Sequence, residues 1–309
     1  MDWVRKNRVN IVILLICVVL SGCWGNAEED DLQAVLDAHQ MSTKPKVNIS
    51  REFLYEIIQK IPSPLEISSL IKESGAHYNE DILNDVNNSS EYNNKYTQAV
   101  NLGVFGTDLG YINIYSKYAA SMSFLGAVKD LADELRIGQF FDFTTISRLA
   151  SNSENIDSIL YISTSGFDNM NGYLKEQGRD EIAILMLVGG YVEALYVLTQ
   201  VSKRYPTPEL IERVGEQKIL LEDLAAVVAM YKEDRYFARL HDHFLELQSV
   251  YDKVKITYVQ GEREMIEVDG MLVIRDNNQS IVDIDDVTLE KITKIARRIR
   301  LTIVSTDEG

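Results

Sequence analysis

The chain has 309 residues and sets 31 Lys and Arg against 47 Asp and Glu, a formal net charge of −16. A surface this acidic repels nucleic acid and anionic lipid headgroups, which excludes both as partners held by charge. Both cysteines, Cys17 and Cys23, fall in the first 23 residues, so the remainder has no thiol for a disulfide, thiolate catalysis or a cysteine metal site, and four histidines are few for a metal centre.

The first element is an export signal. Arg5, Lys6 and Arg8 precede an apolar run over residues 9–20 that only Asn10 interrupts. A spanning helix needs roughly 20 apolar residues, so the run is short for a bilayer. It ends in Leu20-Ser21-Gly22-Cys23. This resembles the lipobox of bacterial lipoproteins, which implies cleavage before Cys23, a thioether-linked diacylglycerol on its sulfur and a further acyl chain such as palmitate on its amine. Several acyl chains anchor stably where one does not. The competing readings are an ordinary secretory signal with a chance cysteine, or an uncleaved anchor helix. Loss of residues 1–22 takes Arg5, Lys6, Arg8 and Asp2 with it and leaves the rest more acidic still.

Residues 23–50 are polar and read as a flexible tether, with Lys44-Pro45-Lys46 near its end. Its cluster Glu28-Glu29-Asp30-Asp31 resembles the surface-export signal of Bacteroidota lipoproteins. The alternative is a solvated spacer.

From 51 to 252 the pattern is helical, a domain of packed helices. Ser63-Pro64-Leu65-Glu66 is a capping box with proline at the first helical position, and Gly75 ends the helix it opens. Further helices are expected over 91–119, 120–136 closed by Gly138, 154–176 closed by Gly178, and 180–203. Thr207-Pro208-Glu209 starts another, followed by 216–233 and 235–252. Residues 253–309 form a small β-hairpin and a final helix packed on the helical domain, because 255–259 and 271–274 are strand-like and Asp269-Gly270 and Asp276-Asn277-Asn278 are turn-like. The fold class is all-α, a multi-helix bundle with a central apolar helix.

Gly103, Gly106 and Gly110, with Ala99, share one face of the 91–119 helix. A phosphate loop would set its glycines between strand and helix and follow them with lysine and a hydroxyl, none of which is present. The expected role is helix packing, against Gly189 and Gly190 of the helix "IAILMLVGGYVEALYVL" over 182–198. That helix is apolar nearly all round and suits a buried core better than a membrane span. Glu193 is its single charge, and a carboxylate there needs hydrogen-bonding partners or a proton.

Asp108-x-x-Tyr111 and Glu193-x-x-Tyr196 repeat an acid three residues before a tyrosine. If the helices face each other, these four and Asn101 either line a pocket in which Asp108 and Glu193 work as acid and base, or form a satisfied structural network. His241-Asp242-His243 places its imidazoles too far round a helix to share one ion, and no metal site is expected. Asp157-Ser158-Ile159 matches a short O-glycosylation motif of Bacteroidota envelope proteins, a weak signal. No catalytic motif is complete, so no catalytic residue is assigned and no cofactor is expected.

The stretches "PSPLEISSLIKESGAHYNEDILN", "YTQAVNLGVFGTDLGYINIY" and "GGYVEALYV" are similar to an uncharacterised family of Bacteroidota cell-envelope lipoproteins, over roughly residues 60–200. The resemblance implies an envelope location, read as the outer membrane, a helical fold and no known catalytic residues. The reading is a lipid-anchored binding or scaffold module, tied to the membrane through Cys23 and serving an envelope protein or small ligand. The alternatives are a helical envelope hydrolase using Glu193 and Asp108, and an assembly subunit with an exposed apolar patch.

Overall fold

The computed structural model describes residues 70–150, 156–259, 263–268, 271–276 and 279–306. All of them belong to the unit spanning Ile49–Gly309. The export signal, Cys23, the acidic tether and the capping box at 63–66 lie outside the described residues.

Residues 70–73 are helical and Gly75, at φ +76°, ends their turn as expected. A single helix over 91–119 does not form. Two short 3-10 turns, Glu80–Ile82 and Val86–Ser90, lead instead to α1, Lys95–Ile114. Asn94 sets its start by accepting hydrogen bonds from the backbone N–H of Tyr96 and Thr97, a cap that the helix interior could not offer. The helix stops where Ser116 turns to φ +53°.

Next comes α2, Tyr118–Glu134. Arg136, at φ +58°, closes it rather than Gly138, as the Ile137 N–H reaches back to the Ala132 carbonyl at 2.9 Å. A 3-10 turn at Gly138–Phe140 and the short α3, Phe143–Ala150, were not anticipated from the pattern. Helix α4, Ile156–Glu176, ends at Gly178 with φ +64°, where the Arg179 N–H bonds the Leu174 carbonyl at 2.8 Å. Asp157-Ser158-Ile159 falls within α4; its side chains lie outside the described residues.

The central helix is α5, Asp180–Arg204. It is long and apolar enough to cross a membrane by composition, yet 83% of its most apolar window is buried inside the protein, as a core helix requires. It packs most extensively against α1, and also against α4, α6 and α8.

The expected break near residue 215 is absent. Helix α6 runs unbroken over Pro208–Ala229 from its Thr207 cap. Gly215 is a contact rather than a breaker, because a Cβ there would come within 2.3 Å of Val282 Cγ1. Helix α7, Arg235–Tyr251, buries Phe237, Leu240, Phe244, Leu247 and Tyr251, one apolar stripe.

Four short strands follow, β1 (Lys255–Val259), β2 (Arg263–Val268), β3 (Met271–Asp276) and β4 (Gln279–Asp283). β1 pairs antiparallel with β4 from Lys255↔Asp283 to Val259↔Gln279, and β2 with β3 from Arg263↔Asp276 to Val268↔Met271. The β element is therefore two antiparallel two-stranded ladders, one nested in sequence within the other, whose registers differ by one residue. Val282 docks it on α6 at Gly215. The chain then enters α8, Asp286–Val304, which Asp285 caps by accepting from the Thr288 N–H at 2.7 Å. Helix α8 lies against α5, α7 and α1. The fold is all-α with a small antiparallel β element.

Candidate functional site

The α1–α5 approach depends on missing side chains. A Cβ on Gly103 would sit 2.0 Å from the Met186 carbonyl oxygen, and one on Gly189 only 1.8 Å from that of Val100. Only glycine lets the two backbones lie this close. Thr107 fastens the seam, its hydroxyl donating to the Gly103 carbonyl at 3.1 Å and to the Gly190 carbonyl at 3.3 Å. Gly190 faces the same Thr107 Oγ1, 3.5 Å from its Cβ position.

Gly106 does not belong to this seam. It is exposed, and a Cβ on it would meet nothing within 4 Å. The contact runs along Val100, Gly103 and Thr107, at spacings of three and four, and so lies rotated from the expected line through Ala99, Gly103, Gly106 and Gly110. Gly110 is half-buried.

Close approach of α1 and α5 encloses Asn101, Asp108 and Glu193, all 0% exposed. Glu193 does meet a partner, but neither Tyr196, Asn101 nor a tyrosine of 108–115. Arg300 of α8 donates to it twice, Nε to Oε2 at 3.1 Å and Nη2 to Oε1 at 3.3 Å. Arg300 is itself buried, 7% exposed, and its guanidinium also reaches the Ile82 carbonyl at 3.4 Å. Tyr196 offers its ring face, 4.9 Å from the guanidinium carbon.

Asp108 Oδ2 accepts from the Asn84 backbone N–H at 3.0 Å, whereas Oδ1 finds no donor among the described residues. Burial first, and then the charge of Glu193, push the Asp108 carboxyl well above the usual carboxylate range. Burial also raises Glu193, but the charge and hydrogen bonds of Arg300 oppose it. The proton therefore belongs on Asp108, whose Oδ1–H can then donate to Glu193, and the ionised Glu193 balances Arg300. A protonated acid removes the apparent orphan at Oδ1, because the lone oxygen becomes a donor.

Asn101 works beside this group rather than in it. Its Nδ2 donates to the Thr97 carbonyl at 2.9 Å and to the Ile303 carbonyl at 2.8 Å. Tyr92 donates to the Val304 carbonyl at 3.0 Å. Two of the carbonyls that the end of α8 leaves open are thus capped by side chains from elsewhere in the fold. Tyr111 points away from Glu193. Its hydroxyl accepts from the Asn79 N–H at 3.1 Å, and its ring packs on Tyr78 and Tyr115 at 5.8 and 5.2 Å.

Arg300, Asn84 and Tyr92 belong to the site although no motif marks them. Arg300 left a signal, because it stands four residues after Ala296 and three before Ile303 on the buried line of α8. A charge at a core-facing position calls for an opposite charge, and Glu193 was the available one. His241 and His243 are half-buried on the flanks of α7, with Asp242 exposed between them. Among the described residues no group of three His, Asp or Glu is placed to hold a metal ion.

Chemically, the network can store one proton and hold together α1, α5, α8 and the segment before α1. Neither carboxyl has surface through which to meet a substrate. Comparison with family models, curated proteins and solved structures finds no match to this chain.

Proposed function

We propose that the protein is a lipid-anchored component of a bacterial cell envelope, tethered through Cys23, whose helical body serves as a binding or scaffold module. The anchor reading rests on the basic start, short apolar run and Leu20-Ser21-Gly22-Cys23. The observation that carries the module reading is the sealing of Asp108 and Glu193, the acid pair the sequence marked out, together with Arg300 inside the packed core. General acid–base catalysis needs a group within hydrogen-bond reach of its substrate, and here both carboxyls are fully buried and both oxygens of Glu193 accept from Arg300. The network fits a structural role, holding α8 to α5 and to the segment before α1.

Fractionation of cells tests the anchor. The wild type is expected in the membrane fraction, retained through a high-salt wash and released by detergent, because the acidic body offers no electrostatic hold. The Cys23→Ala variant is expected outside that fraction. A wild-type protein that high salt removes would contradict a lipid tether.

A further inference from the structure

An open groove of about 620 Å³ runs between the start of α1, the middle of α7 and the last turn of α8. It borders the buried site through Tyr92, Thr97 and Ile303, but Asp108, Glu193 and Arg300 are not part of its lining. Its walls carry Tyr236, Arg239 and His243 from α7 and Arg298 from α8, over an apolar floor of Leu240 and Leu301. Leu240 is buried, whereas Leu301 remains 51% exposed. Against the two guanidiniums the lining sets one acid, Glu91.

The polar groups are positioned in advance. The Arg239 guanidinium lies over the Tyr236 ring at 5.7 Å, and that ring stacks on Tyr96 at 5.3 Å. Tyr96 is fixed in turn by donating to Asp234 at 2.8 Å. Among the described residues Arg239 has no acidic partner and the Tyr236 hydroxyl no hydrogen bond. Arg298, which also lines the groove, pairs with Glu246. Beside it, burial and the Arg298 charge hold the His243 imidazole below its usual range, which favours its neutral form.

On a chain with a net charge of −16, most of the surface turns anions away. A guanidinium held over a tyrosine ring, with a second lining the same groove, is suited to carboxylate or phosphate oxygens, which it can grip in bidentate fashion. The leucine floor suits an apolar body, and the volume falls in the range of small-molecule sites. We propose that this groove binds a small organic anion, a carboxylate or phosphate carried on an apolar or aromatic body, with Arg239 and Tyr236 on the anion and Leu240 and Leu301 against the body. The proposal rests on the reading of the body as a binding module and names the class of its ligand.

Isothermal titration of the full chain in detergent with phenyl phosphate, benzoate, inorganic phosphate and benzyl alcohol tests it. At least one of phenyl phosphate and benzoate should bind at one site, and which of them does identifies the anion. Inorganic phosphate, lacking the body, and benzyl alcohol, lacking the charge, should bind more weakly by about tenfold or more. Arg239→Gln should weaken the anionic probe by a similar factor, and Tyr236→Phe, which keeps the stacked ring, should weaken it to a smaller extent. Lys291→Gln, an exposed change elsewhere on α8, should leave the constant unaltered. No binding by either anionic probe, or equal binding in wild type and Arg239→Gln, would overturn the proposal while leaving a scaffold for a protein partner standing. Arg239-dependent hydrolysis of phenyl phosphate to phenol and phosphate would support the groove and overturn the module reading instead.

Discussion

Arg300 and Glu193, 107 residues apart in the chain, meet in the core through two hydrogen bonds, and among the described residues Arg300 forms its ion pair with Glu193. Taking two ions out of water is expensive, so the pair contributes most clearly by its loss: removing one partner leaves a buried charge unbalanced. Arg300→Met and Glu193→Gln are each expected to cost about 3–5 kcal/mol in urea denaturation. The paired change Glu193→Leu/Arg300→Met should recover most of that, to within about 2 kcal/mol of wild type, because no charge remains to be buried. Single variants near wild-type stability would show that water reaches the pair.

Asp108 makes stability depend on pH in an unusual direction. A carboxyl whose folded pKa lies above its unfolded value binds more protons folded than unfolded between the two values. The folded state therefore loses stability as pH rises from about 4, the unfolded value, through the raised folded value, by up to about 1.4 kcal/mol per pH unit. Asp108→Asn keeps an oxygen for the Asn84 N–H and offers an N–H to Glu193 without a titrating proton. Thermal melts should show the variant gaining on wild type as pH increases above about 4, with the difference smallest in acid. A constant difference across that window would place the proton elsewhere.

Two glycines on one helix should answer opposite ways to the same substitution. Gly103→Ala forces a methyl into the Met186 carbonyl and should destabilise by about 1–3 kcal/mol or more, as overpacking does. Gly106→Ala adds its methyl in open space and should stabilise by up to about 1 kcal/mol through helix propensity. Equal signs in chemical melts would remove the α1–α5 seam from the account.

The periodic elements were visible in the sequence because their determinants are local. The stripe of Phe237, Leu240, Phe244, Leu247 and Tyr251, the Thr207-Pro208 start and the glycine endings at 75 and 178 each act within a turn of their position. What escaped depends on a distant partner. Gly215 reads as a breaker until Val282 is seen against it, Gly106 shares a face with Gly103 until the helix pair fixes which side is inward, and Glu193 has no visible counter-ion until α8 folds back. Tyr111 repeats the spacing of Tyr196, yet the turn at 79–82 draws its hydroxyl away.

The tether carries its own test. Replacing Glu28, Glu29, Asp30 and Asp31 with alanine should leave the protein lipidated but lower its cleavage by protease added to whole cells, if the acids direct surface display. Unchanged cleavage would reduce them to a solvated spacer.

Intact-mass spectrometry of the membrane-extracted protein reads the anchor itself. The account requires a chain that begins at Cys23 and carries the added mass of diacylglycerol and an amine-linked acyl chain, lost in Cys23→Ala. A mature chain with an unmodified Cys23, or one that retains residues 1–22 in the membrane, would contradict it.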